Sequence, residues 1–390
     1  MAFHYFIPTR ILFGNGQLNN LNIQELPGKK ALIVISNGKS TRENGYLGRL
    51  EEQLRLANIA YTVFGEIEAN PLKSTVMAGA AAAKKNGCDF IVALGGGSVM
   101  DASKAIAAMA ANDGDLWDYI GGGTGGGKEL ANTPLPLVAI TTTAGTGSEV
   151  DPWGVISNEA TNEKIGFGGY DALFPQLAIV DPALMASVPP EFTAYQGFDA
   201  LFHSTECYIS NAANLMGDML ALHAIENIGR YLARAVKDGT DMEAREHIAF
   251  ANTLSGMVMT VSGCTSEHSM EHAMSAFHHK LPHGAGLIMI SKEYYTCFIE
   301  RRACDERFIT MAKALGMSGA KEPMDFVKAL VKLQEECGVA DLKMSSYGIQ
   351  PDEFMTLAQN ARATMGGLFQ CDRVPLSDED CAAIFEKSYR

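Results

Sequence analysis

Short, uninterrupted apolar runs punctuate the first half of the chain: Ala31-Leu-Ile-Val-Ile-Ser36, Ala60-Tyr-Thr-Val-Phe64, Phe90-Ile-Val-Ala-Leu94 and Leu137-Val-Ala-Ile140. Their length, and the Gly, Asn and Pro residues that follow several of them, predict buried strands ending in turns. Helical patterns over residues 48–57 and 75–86 separate the first three runs, and another begins at Val99. Alternation of this kind predicts βαβ units, and so a doubly wound, Rossmann-like parallel sheet with helices on both faces. Val155-Ile-Ser157 and Leu177-Ala-Ile-Val180 read as further strands. After Ser187 the period changes. Amphipathic helical patterns run over 190–210, 213–236, 240–262, 264–277, 284–300, 302–315, 321–337, 351–363 and 377–388, with no convincing strand. The shift predicts an α/β domain over residues 1–186 and an all-helical domain over 187–390.

Ligands of doubly wound sheets bind beyond the carboxyl ends of the strands. Gly95-Gly96-Gly97-Ser98 occupies such an end and opens the helix beginning at Val99. Glycines let a backbone approach a pyrophosphate, and the free N–H groups of a helix start favour an anion. The alternative, a tight strand-to-helix turn without a ligand, stays open on this feature alone. Thr141-Thr-Thr-Ala-Gly-Thr-Gly-Ser-Glu149 follows the next strand, and its hydroxyls suit phosphate, ribose or amide contacts. The same hydroxyls would also serve to cap their own turn. Gly122 to Lys128 formally fits G-x-x-x-x-G-K, but Glu129 stands where a P-loop has Ser or Thr and no strand precedes it. That segment is expected to be a flexible surface loop.

The chemistry concentrates in the helical half. Five of the nine histidines lie between Ser266 and Gly286. His268 and His272 are one helical turn apart, as are Asp199 and His203 upstream, so each pair shares a helix face. Pro282-His283-Gly284 reads as a break and restart, with His283 at the mouth of a second helix. A carboxylate with imidazoles on facing helices is the composition of a divalent metal site with mixed O and N donors. A single histidine would more often be a satisfied polar group; two helical pairs together point to the metal.

Composition narrows the partners. A net charge of −14 argues against nucleic acid or an anionic membrane surface, which require clustered Lys and Arg. No apolar run approaches the length of a membrane span, and the N-terminus lacks a signal-peptide layout. The eight cysteines show no C-x-x-C or framework spacing, which suits buried thiols in a cytoplasmic protein.

Gly95-Gly-Gly-Ser-Val-Met-Asp-Ala-Ser-Lys104, Thr142-Thr-Ala-Gly-Thr-Gly-Ser-Glu149, Gly197-Phe-Asp-Ala-Leu-Phe-His203 and His268-x-x-x-His272 with Pro282-His-Gly284 together resemble the iron-containing (group III) alcohol dehydrogenases. Four collinear motifs span essentially the whole chain. The resemblance implies the fold shared with dehydroquinate synthase: a nucleotide-binding α/β domain followed by a helical one. It also implies Asp199, His203, His268 and His283 as ligands of Fe2+, with Zn2+ as the alternative, and His272 as a proton carrier near the nicotinamide. Gly96, Gly97 and Ser98 would hold the pyrophosphate; Thr141, Thr142, Thr146, Lys164 and Asn70 would face the nicotinamide half of the coenzyme.

Two departures bear on these expectations. The segment between His272 and Pro282 is one residue longer than in the propanediol-oxidoreductase branch, so that loop is expected to differ locally; the chain looks more like the butanol-dehydrogenase and NADPH-dependent aldehyde-reductase branch. After the first predicted strand, Ser36-Asn37-Gly38-Lys39-Ser40 offers no acid for a ribose 2′-hydroxyl. Lys39, Ser40 and Arg42 would instead meet a 2′-phosphate, which favours NADP(H) over NAD(H). The expected activity is reversible hydride transfer between a short primary alcohol, or its aldehyde, and a nicotinamide, in a homodimer or larger homo-oligomer. The rivals are a metal- and NAD-dependent lyase or cyclase like dehydroquinate synthase, and a non-enzymatic scaffold with a structural metal.

Overall fold

The computed structural model describes residues 3–390, which form two compact units. One comprises Ile7–Thr143 and Gly147–Ser187; the other comprises Val188–Arg390 with Ala144–Thr146 and the described residues up to Phe6. Three residues inside the threonine-rich loop thus pack with the helical unit.

The first unit is built on β1 (Arg10–Phe13), β2 (Lys30–Ser36), β3 (Ala60–Ile67), β4 (Phe90–Gly95), β5 (Leu137–Thr141) and β8 (Leu177–Val180). They form one parallel sheet in the order β1-β8-β5-β4-β2-β3. The helices are α1 (Ser40–Glu43), α2 (Tyr46–Leu56), α3 (Lys73–Asn86) and α4 (Gly97–Ala111). Every residue of β4 and β5 is buried, as a parallel strand covered on both faces requires. Ile33, Ile35, Val92, Leu94, Val138, Ile140 and Ile179 pack with Leu50 and Leu54 of α2 in one apolar cluster. From β2 the chain steps outward to β3, then returns to lay β4 on the other side of β2 and continues to β5 and β8. The reversal puts a topological switch point at the carboxyl ends of β2 and β4, where doubly wound sheets bind their ligands.

The strand expected at residues 155–157 forms, whereas β1 and the partner of that strand escape the sequence patterns. β1 is a four-residue edge strand, registered Arg10 to Leu177, whose partner lies far along the chain. β6 (Trp153–Asn158) and β7 (Glu163–Gly168) form a separate antiparallel hairpin. The Lys, Glu and Gly content of β7 is poor strand material; its partner imposes the conformation.

The glycine-rich loop lies at the surface, as expected, and hydrogen bonds tie it to its neighbours. Gly126 and Gly127 donate backbone hydrogen bonds to Trp117 (2.8 Å) and Ile120 (2.9 Å), and Lys128 to Asp118 (2.9 Å). Thr124 donates to Glu163 through both its N–H and its hydroxyl, each at 2.6 Å. A Cβ at Gly126 would lie 2.7 Å from the Asp118 carbonyl oxygen, so the glycines here allow the backbone to fold tightly on itself. Lys128 pairs with Asp118 at 3.2 Å.

The second unit contains α5 (Pro190–Ile209), α6 (Leu215–Lys237), α7 (Met242–Val261), α8 (Ser266–Phe277), α9 (His283–Glu300), α10 (Asp305–Ala314), α11 (Met324–Glu336), α12 (Phe354–Phe369) and α13 (Asp378–Ser388). Phe202 of α5 stacks on Tyr295 of α9, which meets Phe308 and Phe326 edge-on. α12 runs beyond the expected limit of 363 by kinking at Met365 (φ −128°, ψ 36°). Gly366-Gly367 is weak helix-forming sequence, and packing against α8 carries the helix through it. Among the described residues, no helix is long and apolar enough to cross a membrane.

Candidate metal centre

α5 is buried on nearly every side between Gly197 and Ile209, and all of α8 except its last residue is buried. Polar side chains at such positions require partners. Asp199, His203 and Glu206 fall at i, i+4 and i+7 of α5; His268, Glu271 and His272 fall at i, i+3 and i+4 of α8. Pro282 starts α9 and delivers His283 at its first position.

Asp199 Oδ1 is the hub. It lies 3.4 Å from His268 Nε2, 3.5 Å from His283 Nε2 and 3.6 Å from His203 Nδ1. Ligands bound about 2.1 Å from one ion at tetrahedral angles stand about 3.4 Å apart. The spacing is thus that of donors around a common cation. Asp199, His268 and His283 form one mutually close donor set. His203 stands beside them: its ring stacks on His268 with centroids 4.3 Å apart, and its Nδ1 lies 3.3 Å from the Gly145 carbonyl oxygen.

The remaining nitrogens are spoken for. His268 Nδ1 donates to Glu206 and His283 Nδ1 donates to Glu271, both carboxylates being wholly buried. Each hydrogen bond places a proton on Nδ1 and leaves Nε2 turned to Asp199. Glu206 also accepts from the Thr265 N–H (3.0 Å) and hydroxyl (3.2 Å), locking it against the start of α8. Neither glutamate was singled out by sequence reading, although both lie on the ligand faces at helical spacing.

The electrostatics keep the Asp199 carboxylate charged. Burial opposes charge on Asp199, yet His203, His283 and His268 together hold it down to about 2. Burial also works against a charged His268, but Glu206 and Asp199 pull it well above the ordinary imidazole value. At His203 burial prevails over the attraction of Asp199, and the pKa falls to about 4. His272 is buried, its ring 5.2 Å from that of His283.

Of the other expected site residues, Gly96, Gly97, Ser98, Thr141 and Thr142 lie together at the carboxyl ends of β4 and β5. Gly95 is registered with Thr141, and Thr142 N–H donates to the Gly95 carbonyl at 2.9 Å, so the two loops lie side by side. Gly96 and Gly97 begin α4, and a Cβ at Gly96 would lie 2.8 Å from the Thr143 side chain. Ser98 hydroxyl donates to the Ala69 carbonyl, tying the residue before Asn70 to the start of α4. Thr141 is buried and its hydroxyl donates to Thr143 O at 2.8 Å, the self-capping use of a turn hydroxyl. Lys164 is buried on β7 opposite Ser157, and Ser40 is exposed at the start of α1. Thr146 belongs to the short segment that packs with the helical unit.

With this geometry in hand, comparison with known proteins is decisive. Residues 8–182 match the model "Iron-containing alcohol dehydrogenase", and residues 193–389 match "Fe-containing alcohol dehydrogenase family, C-terminal". The chain belongs to the iron-containing alcohol dehydrogenase family. It is 32% identical to the 1,3-propanediol dehydrogenase of Klebsiella pneumoniae, over 99% of both chains. It is 30% identical to the NADH-dependent butanol dehydrogenase A of Clostridium acetobutylicum over the full length of each. Among solved structures, an archaeal halo-thermophilic alcohol dehydrogenase from a Red Sea brine pool superposes with a TM-score of 0.94 at 34% identity, covering 100% of this chain and 99% of that one. The family makes this chain an oxidoreductase acting on CH–OH groups, and the lyase or cyclase reading finds no support in these matches.

Proposed function

We propose that this protein is an iron-dependent, nicotinamide-linked dehydrogenase of short primary alcohols that also reduces the corresponding aldehydes. The observation that carries the proposal is the trio of imidazole nitrogens 3.4–3.6 Å from Asp199 Oδ1. Two histidines and one carboxylate in a mutually close set suit ferrous iron with positions left for substrate. When bound, the metal supplies Lewis acidity toward a hydroxyl or carbonyl oxygen and the nicotinamide supplies or accepts hydride.

The protein's own groups do the rest. Asp199, His268 and His283 offer one anionic and two neutral donors, with His203 as the fourth ligand. His272, buried beside His283, receives the proton released from the hydroxyl. In the sheet unit the free N–H groups of Gly97 and Ser98 at the start of α4 face the pyrophosphate, with Gly96 leaving room for it. Thr142, Thr146, Lys164 and Asn70 bind the ribose and nicotinamide, and Thr141 shapes their loop. The domain boundary falls near residue 186, with coenzyme held before it and metal after it.

At the end of β2, Lys39, Ser40 and Arg42 support NADP(H) as the preferred coenzyme. Arg42 is held there by a 3.5 Å hydrogen bond to the Gly38 carbonyl, and its guanidinium fills the space over Gly65 where a Cβ would stand. A homodimeric, cytoplasmic enzyme completes the proposal, and light scattering on the purified protein checks the assembly.

The test is an Asp199→Ala, His268→Ala variant assayed for bound metal and for alcohol-dependent absorbance change at the nicotinamide band. Metal and turnover are expected to vanish together. Full activity in a variant that binds no metal would sink the proposal.

A further inference from the structure

We propose, on the strength of that metal site, that Glu206 and Glu271 are positioning residues that set its affinity, and that Gly286 provides the space that lets Glu271 do so. Neither carboxylate belongs to the mutually close donor set of Asp199, His268 and His283. Each instead accepts the Nδ1–H on the far side of one imidazole. An imidazole so held cannot present Nδ1 to the metal, and the facing carboxylate raises the basicity of Nε2.

Both carboxylates are themselves fixed. Glu206 reaches across from α5 to the first turn of α8, where the Thr265 N–H and hydroxyl take its second oxygen. The positive end of the helix dipole stabilises an anion there. Glu271 accepts the Ser275 hydroxyl with its second oxygen, from one turn further along the same helix.

Glu271 also depends on a residue that makes no polar contact with the site. A Cβ added to Gly286 would stand 2.7 Å from Glu271 Cγ and 2.8 Å from its Oε1. Both are closer than non-bonded atoms approach, and Glu271 is wholly buried, so its carboxylate has no solvent to swing into. Gly286 lies on the first turn of α9, one turn after His283. The glycine therefore allows the helix that carries one ligand to settle onto the carboxylate that aims it.

The test uses the full-length protein, stripped by chelator and titrated with Co2+ and Zn2+, with the Co2+ ligand-field spectrum reporting coordination. Glu206→Gln and Glu271→Gln are each expected to weaken metal binding about 10–100-fold. The metal-free Glu206→Gln protein should lose some melting temperature, because His268 is left without its facing carboxylate, but in both variants the loss of affinity should exceed the loss of stability. Gly286→Ala should reproduce the Glu271→Gln loss and alter the Co2+ spectrum. In a Glu271→Ala background, where the space is vacated, adding Gly286→Ala should cost nothing further.

Wild-type affinity in both glutamine variants would overturn the proposal, as would metal-free melting temperatures that fall in step with affinity. If Gly286→Ala does not fold, the two glutamine variants still decide. Wild-type protein lacking a stoichiometric site that Asp199→Ala, His268→Ala abolishes would refute the metal site itself. A normal wild-type site with unaffected variants would refute only the roles of Glu206 and Glu271.

Discussion

Lys104 offers a direct test of how α4 is anchored. It is wholly buried on α4, and its ammonium donates to Ser148 Oγ (2.7 Å), Asp151 Oδ1 (2.9 Å) and the Trp153 carbonyl (2.6 Å). Three acceptors match its three N–H bonds. Asp101, one turn earlier, accepts from Ser148 Oγ (2.7 Å) and Val155 N–H (3.0 Å). Burial pushes the Asp101 carboxyl up to about 6 even with Lys104 beside it. Lys104→Met would leave Asp151 buried without its cation, and breaking one side of such a pair costs about 3–5 kcal/mol. For a unit of this size that corresponds to roughly 10 °C in melting temperature. Converting the orphaned acid as well, in Lys104→Met, Asp151→Asn, removes the uncompensated charge and should restore at least half of the loss. Thermal unfolding followed by circular dichroism, with coenzyme binding measured in parallel by fluorescence, gives both quantities. A single variant that melts within a degree or two of wild type would refute the reasoning, as would a double variant no more stable than the single.

Further outcomes follow from the same geometry. Arg42→Ala should raise the KM for NADPH about fivefold and leave that for NADH nearly unchanged, because one exposed charge contact is worth about 1 kcal/mol; equal effects on both coenzymes would remove Arg42 from the 2′-phosphate site. Gly96→Val places branched carbon against the Thr143 side chain, where even a Cβ would be 2.8 Å away, and should weaken coenzyme binding at least tenfold by calorimetry while metal content stays normal. Burial, partly offset by hydrogen bonds from Ser266, raises Asp372 to about 7. A folded pKa above the unfolded value stabilises the protein below about pH 4, and that stability is lost as pH rises through 7. Asp372→Asn should therefore gain on wild type between pH 5 and 8, by up to roughly 4 kcal/mol; a melting-temperature difference that does not grow with pH would count against it.

Much of the architecture is legible in the chain because it depends on local pattern. β2, β4 and β5 are continuous apolar runs since both sheet faces are covered, and the glycines after β4 mark its carboxyl end. Asp199 with His203, and His268 with His272, announce themselves by helical spacing. β1 and β7 do not, because an edge strand and a hairpin arm of weak strand formers take their conformation from partners elsewhere. At residues 121–127 composition marks a surface loop but not the close backbone packing that its glycines permit.

What only the tertiary structure decides is which of these side chains meet and in what orientation. The sequence marks Asp199, His203, His268 and His283 as candidates, but helix packing brings the donor atoms of Asp199, His268 and His283 to one point and stacks the His203 ring on that of His268 beside them. It also recruits Glu206 and Glu271, whose role depends on which imidazole nitrogen they face. Helical periodicity specifies a face of a helix; the rotation of a ring and the partner of its second nitrogen are set by contacts between helices distant along the chain.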